Sequence, residues 1–165
     1  MEERNFYTMR TVFLIISLAI GVTTSAQVKL KGKIVNTYKV HTADREAAGE
    51  SNDCSVRAIA SAFDISYQRA LELTTKYGRD KGKGMDAKSL VGMVVSELDN
   101  EAKHFAVNHI NSRRFSKELA SEGSSYIVIS QRHVHTLKYN SETGKLHLHG
   151  DPLDSVLNII YAIQI

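Results

Sequence analysis

The chain has 165 residues, enough for one domain with a single sizeable core. With 42% hydrophobic and 24% charged residues it has the composition of an ordinary globular protein, which excludes a disordered chain and a wholly membrane-embedded one. The net charge is only +3, and the basic residues are spread without a block of like charge, so no nucleic-acid surface is predicted.

The first 26 residues have the order of a secretory signal peptide. Arg4 and Arg10 precede an apolar run over residues 12–22, and small residues follow as far as Ala26. That run would form a helix about 16 Å long, too short to cross a hydrocarbon core of about 30 Å. We predict a signal peptide over 1–26, cleaved after Ala26, and a secreted or periplasmic domain over 27–165. The alternative is an uncleaved segment, through which alone the protein would contact a membrane.

Helices are predicted in the first part of the exported domain. Residues 28–40 partly alternate and indicate an extended lead-in, and residues 41–53 are rich in Ala, Gly, Ser, Asn and charges, which is typical of a loop. Apolar residues then recur at helical spacing. The predicted helices begin at Cys54, at Ser66 and at about Asp86, the last one ending near Leu98.

The hydrophobic period changes after residue 100 to one typical of strands. Strands are predicted at 104–109, 125–130, 133–139, 145–149 and 156–165, with a short helix at 115–121. Helices followed by an antiparallel sheet indicate the α+β class, with the helices packed on one sheet.

Cys54 is the one cysteine of the chain, so an internal disulfide is excluded. In an oxidising compartment such a thiol is either buried and inert or retained for its chemistry. Asn52 and Asp53, both of capping type, place Cys54 in the first turn of its helix. The helix dipole favours a thiolate there, and helix N-termini lower the pKa of cysteine thiols. We predict that Cys54 is a nucleophile, which needs a base.

Alternating histidines on two predicted strands supply candidates for that base. His133 and His135 share one face of a strand, and His147 and His149 share one face of the next. A five-residue turn over 140–144 would place His135 opposite His149, and His133 opposite Asp151. We therefore predict His133 as the base, oriented by Asp151, with His135 as the alternative base. A turn one residue shorter would change this register, and Asp151 before a proline is also typical of a simple turn.

Three segments resemble small papain-like cysteine peptidases, including phage-encoded papain-like domains and the leader peptidases of bacteriocin exporters. The string from Asn52 to Ala60, followed by Ile65-Ser66-Tyr67, is similar to their cysteine helix. Arg132-His133-Val134-His135-Thr136-Leu137 is similar to their histidine strand, and Gly150-Asp151-Pro152 to the Asp-Pro after the next strand. The resemblance implies a papain-like fold and a thiol hydrolase, most often a peptidase, with Cys54, His133 and Asp151 catalytic and no cofactor.

One departure from the family affects the oxyanion site. The family has a glutamine about six residues before the cysteine, and position 48 here is alanine. Asn52 could supply an amide instead, or it could be only a helix cap. The alternative function is therefore a catalytically weak or inactive papain-fold module that binds a peptide or an envelope partner.

Two further hypotheses use the same residues. Thiol chemistry on cell-wall peptide amides, or acyl transfer to an amine, would need the same cysteine and base. His135, His147 and His149 could also form a zinc or copper site, but no acidic or cysteine ligand has a matching spacing, so we predict no metal.

Overall fold

The structure is a computed structural model that describes residues 37–38, 40–150 and 158–165. The predicted signal peptide with its cleavage after Ala26, most of the lead-in, and Asp151 lie outside the described residues. Within the described part, no helix has both the length and the apolar character needed to cross a membrane.

Four helices precede most of the sheet, and three of them were predicted. The helices are α1 (Thr42–Ala48), α2 (Cys54–Phe63), α3 (Tyr67–Lys76) and α4 (Ala87–Glu97). The starts of α3 and α4 follow the capping rule, because Ser66 accepts a hydrogen bond from the Arg69 N–H and Asp86 accepts one from the Ser89 N–H. The prediction that Cys54 lies at the start of its helix is confirmed.

Helix α1 corrects the prediction of a loop over residues 41–53. None of its residues is buried, so it has no apolar stripe for a periodicity argument to detect. Its Ala, Glu and Arg residues nevertheless have high helix propensity. Gly49 ends the helix in the left-handed region, with φ of 62°, as helix-terminating glycines commonly do.

The strands form one six-stranded sheet, with a fifth helix between the second and third strands. The elements are β1 (Thr37–Tyr38), β2 (Lys103–Asn111), α5 (Ser112–Glu118), β3 (Tyr126–Ser130), β4 (Val134–Asn140), β5 (Lys145–His149) and β6 (Asn158–Gln164). The spatial order is β1-β5-β4-β3-β6-β2. β1 is parallel to β5, and the other five strands pair antiparallel. The α+β class, with helices first and an antiparallel sheet after them, is confirmed.

The two faces of the sheet are buried by different groups. On one face the apolar stripe of α2, including Val56 and Ile59, packs with Ile127 and Ile163 of the sheet. On the other face lies a second cluster that includes Phe115, Tyr126, Leu137, Leu146 and Leu148. The hydroxyl of Thr136 donates to the Ala58 carbonyl at 2.7 Å, which fixes α2 along β4. This packing brings the start of α2 to the start of β4.

The register of β4 and β5 differs from the one expected. Asn140 pairs with Lys145, Leu137 with Leu148 and Thr136 with His149, so the turn holds four residues, not five. The Asn140 side-chain oxygen accepts from the Thr143 N–H at 2.8 Å, and the Asn140 carbonyl accepts from the Gly144 N–H at 2.9 Å. These bonds close the shorter turn and shift every cross-strand partner by one residue. The predicted pairing of His135 with His149 is therefore wrong. The pairing of His133 with Asp151 stays a prediction, because Asp151 lies outside the described residues.

Candidate active site

The predicted nucleophile and both predicted bases line one small cavity between the start of α2 and the facing ends of β4 and β5. Its solvent-accessible volume is about 10 Å³, roughly that of one water molecule. The lining residues are Cys54, Arg57, Ala58, His133, Val134, His135, His149 and Gly150. The cavity can therefore hold a small group, such as a carbonyl oxygen or a water, while a larger ligand would lie across its exposed rim.

Cys54 is the first residue of α2, and its thiol is free and partly exposed. The first backbone bond of the helix runs from the Arg57 N–H to the Asp53 carbonyl at 3.0 Å. The N–H groups of the residues before Arg57, including that of Cys54, therefore lie ahead of the first bond of the helical ladder. Such groups favour negative charge, as on a thiolate or a substrate oxyanion.

His133 is exposed and lies immediately before β4. Its main chain is fixed by a tight turn from β3, because the Ser130 N–H donates to the His133 carbonyl at 2.9 Å. The His133 N–H in turn donates to the Ser130 hydroxyl at 3.2 Å. The imidazole lies 5.8 Å from that of His135 between ring centroids and is accessible to solvent.

His135, the alternative base, is only 2% exposed. Its imidazole packs directly against the main chain of Gly150, so closely that a Cβ at position 150 would overlap the ring. The observed register separates it from His147 and His149 but not from His133. Thr136, next to His135, faces α2, and its partner His149 faces α2 as well, so His135 belongs to the opposite face of the sheet and lines the cavity from that side.

His149 is a member of this site that sequence reasoning did not assign to catalysis. It is half-buried, and its Nδ1 lies 2.8 Å from the hydroxyl of Ser61 on α2. Burial, and then the positive charges of Lys138 and His147, lower the pKa of His149 below its ordinary value. The alternation of histidines in the sequence was a signal for it, but only the correct strand register places it beside α2.

Asn52 does not occupy either position suggested for it. Its amide nitrogen donates to the Gly82 carbonyl at 2.9 Å, and it is not among the residues that line the cavity. The residue at the cap position of α2 is Asp53, and its side chain makes no capping hydrogen bond. Asn52 instead connects the segment before Cys54 to the loop over residues 78–84.

A buried ion pair holds that loop in place. Glu50 accepts from Arg79 at 2.8 Å and from the Gly82 N–H at 3.0 Å, and the side chains of Glu50 and Arg79 are 4% and 0% exposed. The hydrogen bond from Arg79 lowers the pKa of Glu50. The main chain of the loop is thereby fastened at Gly82, whose carbonyl also accepts from the Asn52 amide.

Two further predictions concern Asp151 and a metal site formed by histidines. Asp151 lies outside the described residues. Among the described residues, no group of three or more His, Cys, Asp or Glu side chains could hold a metal ion. His135 lies on the opposite face of the sheet from His147 and His149.

Comparisons of the chain with family models, with curated proteins and with solved structures found no match. The resemblance to papain-like peptidases therefore stays a prediction, which depends on the three segments that carry it.

Proposed function

We propose that this protein is an exported papain-like cysteine hydrolase that cleaves an amide bond in a peptide or protein. One observation carries the proposal: Cys54 at the start of a helix and His133 at the start of a strand line the same cavity. A nucleophile and a base from distant parts of the chain, on separate elements, are the minimum needed for thiol hydrolysis.

The chemistry follows from the groups at the cavity. His133 takes the thiol proton, and the sulfur of Cys54 attacks the substrate carbonyl carbon. The backbone N–H of Cys54 donates to the oxyanion that forms. The protonated imidazole then gives its proton to the leaving amine as the C–N bond breaks, which leaves an acyl-thioester. Water, deprotonated by the same imidazole, releases the acid and regenerates the thiol. Asp151 remains the predicted orienting group for His133.

Alkylation with iodoacetamide tests the pair directly. Mature protein should be labelled at Cys54 at near-neutral pH much faster than a free cysteine peptide, and Cys54→Ala should abolish labelling. His133→Ala should slow the labelling, whereas His104→Ala, at an exposed histidine of β2, should leave it unchanged. Wild-type labelling no faster than that of the free peptide would contradict the proposal.

A second function is favoured by the position of Asn52. Its amide is engaged with Gly82, and position 48, in α1, is an alanine, so neither supplies a side-chain donor at the cavity. A papain-fold module that binds a peptide without turnover would fit this arrangement. Incubation with a peptide library and with peptidoglycan fragments separates the two functions. Products that depend on Cys54 indicate the hydrolase, and equal binding by the wild type and Cys54→Ala without products indicates the module.

A further inference from the structure

The start of α2 departs from the capping pattern of three other helices. Ser66, Asp86 and Asn111 each accept a hydrogen bond from the backbone N–H three residues later, at 2.9–3.1 Å. Asp53 belongs to one of the best capping residue types and occupies the same position before α2, but its carboxylate caps no backbone group. The Asp53 carboxylate therefore does not accept from the first N–H groups of the helix that begins with the candidate nucleophile.

The carboxylate of Asp53 instead accepts hydrogen bonds from two side chains. Its Oδ2 accepts from the Tyr67 hydroxyl at 3.0 Å, and its Oδ1 accepts from Arg57 Nε at 3.1 Å. Arg45 Nε lies 3.6 Å from the same Oδ1. Asp53 is fully buried and Tyr67 is 4% exposed, so water does not compete for these bonds. Burial, and then the bond to Asp53, raise the pKa of Tyr67, so its hydroxyl remains a donor.

We propose that Tyr67 is a positioning residue for Cys54: its hydroxyl holds the Asp53 carboxylate away from the first N–H groups of α2. Those groups then act on the sulfur of Cys54 instead of on a capping carboxylate. This inference deepens the proposed function, on which it rests, because it concerns the reactivity of the same thiol. Release of Asp53 would bring a negative charge to the helix start and disfavour the thiolate.

The test compares two Tyr→Phe variants of the full chain. Tyr67→Phe deletes the bond to Asp53, and Tyr77→Phe deletes a matched bond, since the Tyr77 hydroxyl donates to Glu97 at 2.9 Å on the surface. Both variants leave the other charged groups around the thiol in place. These are Arg57, His133, His135 and His149 in the cavity wall and Arg45 beside Asp53.

The measurement is the rate of iodoacetamide labelling of Cys54 as a function of pH, on protein verified as folded by circular dichroism. Tyr67→Phe should slow labelling at pH 7 by about two- to fivefold and move the midpoint of the pH profile upward by about 0.2–0.7. Tyr77→Phe should match the wild type. A shift of the pH midpoint distinguishes positioning from a loss of stability, which would not move it.

A double-mutant cycle assigns the effect to Asp53. In an Asp53→Asn background the neutral amide brings no charge to the helix start, so Tyr67→Phe should cause no further upward shift. If Asp53→Asn does not fold, the comparison of Tyr67→Phe with Tyr77→Phe decides alone. Identical profiles for Tyr67→Phe and the wild type overturn this inference while fast wild-type labelling still supports the hydrolase. Slow wild-type labelling instead contradicts the proposed function.

Discussion

Gly150 shows how a single residue without a side chain shapes the candidate site. It lies after β5, where the imidazole of His135 packs against its main chain in the space that a Cβ would need. His135 is buried on that side of the sheet, and Gly150 also lines the cavity that holds Cys54. Glycine is required at this position by close approach, not by an unusual backbone conformation.

We expect Gly150→Ala to lower the free energy of unfolding by about 1–3 kcal/mol, because the added methyl forces His135 or the main chain to move. Gly84→Ala is the matched control. A Cβ at Gly84 would meet no atom within 4 Å, so its effect should stay within about 0.5 kcal/mol. Urea denaturation of both variants measures the difference, and equal stabilities would show that His135 accommodates the methyl group.

At the level of single residues, the sequence identified Cys54, His133 and His135 by their chemistry, and all three line one cavity. It did not identify the roles of Asp53 and Tyr67. An aspartate before a helix is explained by helix capping, and a tyrosine on an apolar helix face is explained by core packing. Only the packing of α3 beside the start of α2 shows that the Tyr67 hydroxyl donates to the Asp53 carboxylate.

The turn between β4 and β5 is the element on which the pairing of the histidines depends. Asn140 closes it through its side chain, which accepts from the Thr143 N–H at 2.8 Å and the Thr143 hydroxyl at 3.0 Å. Gly144 completes it with φ of 63°. Because the turn has four residues, His149 lies beside Thr136 and reaches Ser61 on α2.

Asn140→Ala should lower the free energy of unfolding by about 0.5–1.5 kcal/mol, because two donors lose their acceptor. Ser141→Ala, at the exposed neighbouring position, should change it by less than about 0.5 kcal/mol. Thermal or urea denaturation provides the comparison. An effect of Asn140→Ala no larger than that of Ser141→Ala would mean that the strands alone set the register.

Helices with a buried face were predicted correctly, because burial requires apolar residues at helical spacing. The helix without a buried face was not predicted. Helices α2, α3 and α4 each bury several side chains, and all three were found from their apolar spacing. Helix α1 buries none, and the composition of its residues predicts a loop instead. The predicted register of β4 and β5 was wrong for a related reason, because the composition of residues 140–144 indicates a turn but does not fix its length.

The packing of α2 on the sheet also makes the stability of the whole molecule depend on pH. His149 lies half-buried between Ser61 and the sheet, and its pKa in the folded state is below the ordinary value of 6.5. Above 6.5 the histidine is neutral in both the folded and the unfolded state. As the pH falls below 6.5 the unfolded chain binds the proton first, so the folded state loses relative stability until its own, lower pKa is passed.

We therefore expect the free energy of unfolding to fall as the pH is lowered from 7.5 to 5, and His149→Asn to reduce that fall. Asparagine cannot take up the proton, and its amide can keep a polar contact with Ser61. Urea denaturation at a series of pH values measures both proteins. Parallel pH curves for the two would show that protonation of His149 does not limit the stability.

The sequence by itself determined the α+β class, the start of the cysteine helix and the residue types suited to thiol chemistry. Each of these depends on local spacing, caps and the reactivity of single side chains. The tertiary structure decided which histidines line a cavity with Cys54, which face of the sheet His135 occupies, and which side chains bond to the Asp53 carboxylate. Those outcomes depend on a turn one residue shorter than composition indicated, and on contacts between elements far apart in the chain, which local patterns do not encode.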